Sequence, residues 1–170
     1  YSNRIMTYLK FSLGIFLVLA ASRFIPHPPN FTSLIALSFY IPLFFGKIFI
    51  STLILSFLIT DYFIGFHNLT FFTWGSVLII GLISNFFGKN LYYRVGGVLI
   101  SCIIFFVITN FGVWLLGSYG YTLNGLISCF VLAIPFFGYT IISSILYSTL
   151  IEIIYKFNFI KRTINNYKIS

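Results

Sequence analysis

Seven polar side chains in this chain stand where chemistry could occur: Arg23, His27, Asn30, Asp61, His67, Asn110 and Trp114. Arg23, His27 and Asn30 fall in RFIPHPPNFTSL, where three prolines interrupt an otherwise apolar sequence. Asp61, His67 and Asn68 share LITDYFIGFHN, and Asn110 and Trp114 lie in ITNFGVWLLGSYGY. A guanidinium, two imidazoles, amides and an indole can bind a small solute through hydrogen bonds, charge and stacking. They do not form a nucleophile with a positioned base, so no enzyme is expected. The spacing of His27, Asp61 and His67 matches no metal motif, and neither a metal nor a cofactor is expected. Arg23 and Asp61 have an alternative role as each other's ion-pair partner, because ionisable groups near membrane segments pair.

The elements that carry these residues are apolar. Of 170 residues, 59% are hydrophobic and 7% charged, and the mean hydropathy is +1.04. A soluble domain has about 25% charged residues to cover its surface. Apolar runs fall at 5–24, 31–45, 48–66, 69–87, 95–117 and 122–156, separated by Gly, Pro, Asn, Lys or Arg. Most have the length needed to cross a ~30 Å hydrocarbon layer. The expected class is an all-α integral membrane protein, with residues 1–170 as one transmembrane domain and 157–170 as a basic cytoplasmic tail. No small-residue cleavage site accompanies the first run, so it is expected to stay as a helix.

Charge sets the number of crossings. The run 122–156 is too long for one crossing and contains Pro135, which removes a helix hydrogen bond. With six crossings, Arg4, Lys10, Lys47, Lys89, Arg94, Lys156, Lys161, Arg162 and Lys168 share one side and Arg23 alone holds the other. With seven crossings the basic residues divide equally. The positive-inside rule therefore predicts six transmembrane helices, both termini in the cytoplasm of an inner (plasma) membrane, and a last segment kinked or broken near Pro135. The net charge of +8 serves this topology, and no nucleic acid is expected as a partner. Cys102 and Cys129 lie in apolar runs and read as small core residues.

This topology gathers the seven candidate residues at the outer face. Asn30 and Asn68 each open an apolar run and are expected to cap helices. Run 31–45 spans only about 22 Å, so its N-terminus, with Arg23 nearby, is expected to favour a carboxylate or similar anion. Asn110 either bonds a neighbouring helix or lines a cavity. The motif FFGK occurs at 44–47 and 86–89, where Gly46 and Gly88 suit left-handed helix ends and the lysines anchor the turn. Glu152 precedes Lys156 by four residues, the order that favours a helix ion pair.

The strings RFIPHPPNFTSLIAL, ITNFGVWLLGSYGYTLNGL and CFVLAIPFFGYT resemble a bacterial membrane-protein family of unassigned ligand over roughly residues 15–150. That family is similar to the substrate-binding S components of energy-coupling-factor transporters. The resemblance implies a six-helix fold with an outward-opening pocket, roofed by the first outer loop and by the loop before the last helix. It also implies a small-molecule nutrient or vitamin as ligand, with a transmembrane coupling protein and ATPases as partners beside the membrane lipid. One departure is the absence of a small-xxx-small pair on the first helix, where S components often carry Ala-x-x-x-Ala and this chain has only Ala20 and Ala21. A non-transporting scaffold of the cell-wall-organising type is the alternative, its polar outer cluster then being packing.

Overall fold

The computed structural model describes residues 2–157, with side chains from Ile5 onward. Seven α-helices and one 3-10 turn, with no strand, make up these residues. They are α1 (Ser2–Phe24), α2 (Leu34–Phe45), α3 (Phe49–Ile64), α4 (Thr70–Ile83), α5 (Leu91–Leu115), α6 (Leu123–Leu132) and α7 (Ile134–Lys156), the 3-10 turn Ser84–Phe87 following α4. The basic tail beyond Phe157, with Lys161, Arg162 and Lys168, lies outside the described residues.

Four spans are long and apolar enough to cross a bilayer: Ile5–Phe24, Thr70–Phe87, Leu91–Leu115 and Ile134–Lys156. This marks a membrane protein and corrects the expectation of six full-length helices. At 1.5 Å per residue, α2 and α3 reach only about 18 and 24 Å, and α6 about 15 Å. The long apolar run 122–156 divides at Ala133, whose N–H bonds Phe130 O at 3.2 Å. Pro135 sits in the first turn of α7, where its missing N–H leaves no intrahelical bond unmade.

Packing is inverted relative to a soluble domain. Large apolar side chains such as Phe63, Phe71, Phe86 and Ile142 face outward, whereas Ser38, Ser56, Thr60, Ser76, Ser101, Thr140 and Ser143 are buried. Small hydroxyl residues let helices approach closely in lipid, where apolar burial supplies little drive. Most bond their own helix: Ser38, Ser56, Ser76, Ser101 and Thr140 donate to the carbonyl four residues back at 2.7–3.0 Å. Phe39, Tyr40, Leu53, Phe57, Val77 and Ile80 fill the centre.

Helix ends correct three details. Asn30 caps nothing; it takes a left-handed φ of 62°, and α2 begins after Ser33. The Pro28–Pro29 turn, closed by Phe31 N to Pro28 O at 3.0 Å, uses up the residues expected to start that helix. Asn68 does not cap α4 either: the Thr70 hydroxyl accepts from His67 N and donates to His67 O at 2.7 Å. Of the two FFGK motifs, Gly46 has φ 106° and ends α2 by giving its N–H to Pro42 O. Gly88 remains at φ −74°, because the chain there passes through the 3-10 turn.

Candidate functional site

Contacts between helix ends establish the frame. The C-terminal ends of α1, α3 and α5 meet the N-terminal ends of α2, α4 and α7 around one cavity of about 470 Å³. Tyr40 of α2, the start of α5 and the end of α7 meet at the opposite end of the bundle.

The cavity brings together five of the seven residues singled out in the sequence: Arg23, His27, Asn30, His67 and Asn110. Asp61 and Trp114 do not line it. Asp61 is buried behind Arg23, whose Nη2 donates to Oδ1 at 2.5 Å, and Trp74 Nε1 donates to Oδ2 at 2.9 Å. Arg23 Nη1 donates to Thr60 Oγ1, and the guanidinium lies 5.3 Å from the centre of the Phe57 ring. The two residues thus form the ion pair that the sequence offered as their alternative role, and the charge of Arg23 is met by Asp61. Trp114 packs on Phe111 and Tyr121, and its buried Nε1 has no hydrogen-bond partner.

Asn110 does not bond across to another helix through its side chain. Its Nδ2 donates to Phe106 O in its own helix at 2.7 Å, and its backbone carbonyl accepts from Cys129 Sγ at 3.3 Å. Its side-chain carbonyl makes no hydrogen bond among the described residues. The His27 ring turns back to Pro28 O at 2.7 Å, a contact within the exposed proline loop. The loop is tied to α7 by Ser143 Oγ, which donates to Asn30 O at 3.4 Å.

Several lining residues escaped the sequence reading. Thr32, Thr73, Thr109, Thr140 and Ser144 add hydroxyls, and Phe106 and Phe137 form a wall with ring centres 4.6 Å apart. Cys129 also lines the cavity while being buried and free. The one signal that could have revealed α7 is spacing: Thr140, Ser144, Ser148 and Glu152 recur every four residues in an apolar run.

A second ion pair sits at the other end. Arg94 Nε and Nη2 donate to Glu152 Oε1 and Oε2 at 2.6 and 2.9 Å, and Tyr40 Oη donates to Oε1 at 2.8 Å. Arg94 also lies over the stacked rings of Phe44 and Tyr155. Glu152 therefore bonds Arg94 and not Lys156 as its helix position led one to expect, since a planar guanidinium can meet both carboxylate oxygens. Among the described residues no group of three or more His, Cys, Asp or Glu side chains could hold a metal ion.

A family model described as a family of unknown function (DUF6580) matches residues 3–166. The chain belongs to the DUF6580 family. No curated protein matches it, and no solved structure does. In this DUF6580 chain the matched residues include every helix that borders the cavity and both buried ion pairs.

Proposed function

We propose that this chain is a membrane-embedded solute-binding subunit or transporter that takes up a small nutrient through the cavity at the Arg23 end. The observation that supports this most strongly is the cavity itself. Polar side chains from several helices converge on 470 Å³ of open space beside a wall of aromatic rings. That volume is in the range of small-molecule sites, which pair apolar walls with a few orienting polar groups. A packed scaffold would fill such space.

The solute we propose has a flat or apolar part against Phe106 and Phe137 and hydrogen-bonding groups toward Asn110 and the threonines. Because Arg23 is paired with Asp61, a carboxylate on the solute would be met at the start of α2, where Ile35 lines the cavity and the N–H of Leu34 is already given to Thr32 Oγ1 at 3.4 Å. We place the cavity outside and both termini in the cytoplasm, with six crossings: α1 to α5 and α7 cross, and α6 stays near the outer face. Lys47, Lys89, Arg94 and Lys156 then share the cytoplasmic end, which agrees with the positive-inside rule. The S-component resemblance adds a transmembrane coupling protein with ATPases as proposed partners.

The test is a thermal-shift screen of the purified protein against small metabolites. Stabilisation by at least one compound, lost in Asn110→Leu, supports uptake; silence across the panel favours the scaffold reading. One observation speaks for that second reading: both buried ion pairs are complete within the chain and ask for no ligand.

A further inference from the structure

Helix α7 carries a polar residue every fourth position, Thr140, Ser144, Ser148 and Glu152, over about 18 Å. Such spacing puts all four on one face. Thr140 and Ser144 open on the first cavity. Ser148 and Glu152 open on a second recess of about 260 Å³ between α5 and α7, with Tyr40 and Lys156 on its wall. Only about 6 Å of helix separates Ser144 from Ser148. The stripe thus joins two spaces that enter the bundle from opposite ends.

The two central serines differ from the other buried hydroxyls. Ser38, Ser56, Ser76, Ser101 and Thr140 each bond back to their own helix. Ser144 and Ser148 do not, although they are only 1% and 8% exposed. The Ser148 hydroxyl has no hydrogen-bond partner, and that of Ser144 has only the weak thiol of Cys102 beside it. A buried polar atom without a partner is costly in a dry interior and marks a place meant for water or a ligand. Both atoms face spaces large enough to hold one.

We infer that this stripe is the path by which the solute crosses, the first cavity and the second recess being its two vestibules. Between them the path narrows at Cys102, which is fully buried on α5 between Val98 of the second recess and Phe105 of the first. The Tyr40–Glu152–Arg94 cluster stands at the far mouth, where breaking its hydrogen bonds would free α7 from α5. The inference rests on the solute-binding reading of the first cavity and adds to it a route through this chain itself.

Cysteine accessibility tests it. Ser144→Cys and Ser148→Cys are made singly on a Cys102→Ser, Cys129→Ser background and exposed to a membrane-impermeant sulfonated methanethiosulfonate from either face. Ser144→Cys should react from the Arg23 face and Ser148→Cys from the Lys156 face. Each should react at least about tenfold faster than Ile142→Cys and Leu146→Cys on the outward side of α7, since thiolate attack needs water. If a serine variant fails to fold, native Cys129 kept on a Cys102→Ser background and Thr149→Cys on the double-serine background report on the same two spaces. Reaction no faster than the controls, or access from one face only, overturns the path. Silent labelling beside a positive thermal-shift screen leaves the binding site and removes the path. Labelling from both faces beside a silent screen keeps the aqueous route and removes the binding reading.

Discussion

Arg23 and Asp61, 38 residues apart in sequence, form a buried ion pair in which the guanidinium of α1 reaches the carboxylate of α3 at 2.5 Å. Trp74 of α4 donates to the second carboxylate oxygen at 2.9 Å, so three helices are joined beside the cavity. In a low-dielectric interior a charge needs its partner more than it needs any other contact. The pair therefore fixes the wall of the cavity at its Arg23 end.

Arg23→Ala leaves Asp61 buried with only Trp74 as donor, and should cost about 3–5 kcal/mol. The double replacement Arg23→Met, Asp61→Leu should recover most of that loss, because two apolar side chains carry no desolvation penalty. Thermal unfolding in detergent of the wild type, Arg23→Met, Asp61→Leu and the double variant, read as a double-mutant cycle, checks this; equal loss in the single and double variants would contradict it.

At the other end, Arg94→Lys should behave as a disruptive change despite keeping the charge. A lysine cannot meet both oxygens of Glu152 while keeping a planar cation beside the stacked rings of Phe44 and Tyr155 as the guanidinium does. We expect a lower Tm, with a loss of about 1–3 kcal/mol, the worth of a hydrogen bond to a charged group. Glu152→Gln, which keeps an acceptor for Tyr40, should lose less than Glu152→Ala in the same measurement.

Close helix approach predicts a graded glycine series. A Cβ at Gly97 would stand 2.6 Å from the Phe39 ring and 2.7 Å from that of Phe87. Gly97→Ala should cost roughly 1–3 kcal/mol as overpacking. Gly125→Ala should cost more, because its Cβ meets the backbone carbonyls of Tyr119 and Gly120, which have little freedom to yield. Gly14→Ala meets no atom within 4 Å and should be neutral or slightly stabilising. Unfolding midpoints in one detergent rank the three.

Much of the helix plan was legible in the sequence, because apolar runs and their Gly, Pro and Lys breaks mark where helices lie. Five of seven candidate residues line one cavity because the helix ends and loops that carry them meet at one end of the bundle. What the runs did not show was helix length. Runs 31–45 and 48–66 lose residues to the Asn30 turn and to the loop after Ile64. Pairing was also hidden: Arg94 and Glu152 are 58 residues apart, and only the packing of α5 on α7 brings them together. The hydroxyls of α7 were overlooked for another reason. Ser and Thr ordinarily satisfy themselves within an apolar helix, and only the geometry distinguishes Ser144 and Ser148 from the rest.

The claim that the first cavity holds a solute is tested most directly by native mass spectrometry of the protein released from detergent, with and without the best stabilising metabolite. Thr140→Phe, which fills the cavity from the wall of α7, serves as the comparison. We predict a one-to-one adduct on the wild-type chain and none on Thr140→Phe, with both proteins folded. No adduct on the wild-type chain, or equal adducts on both, would contradict the account.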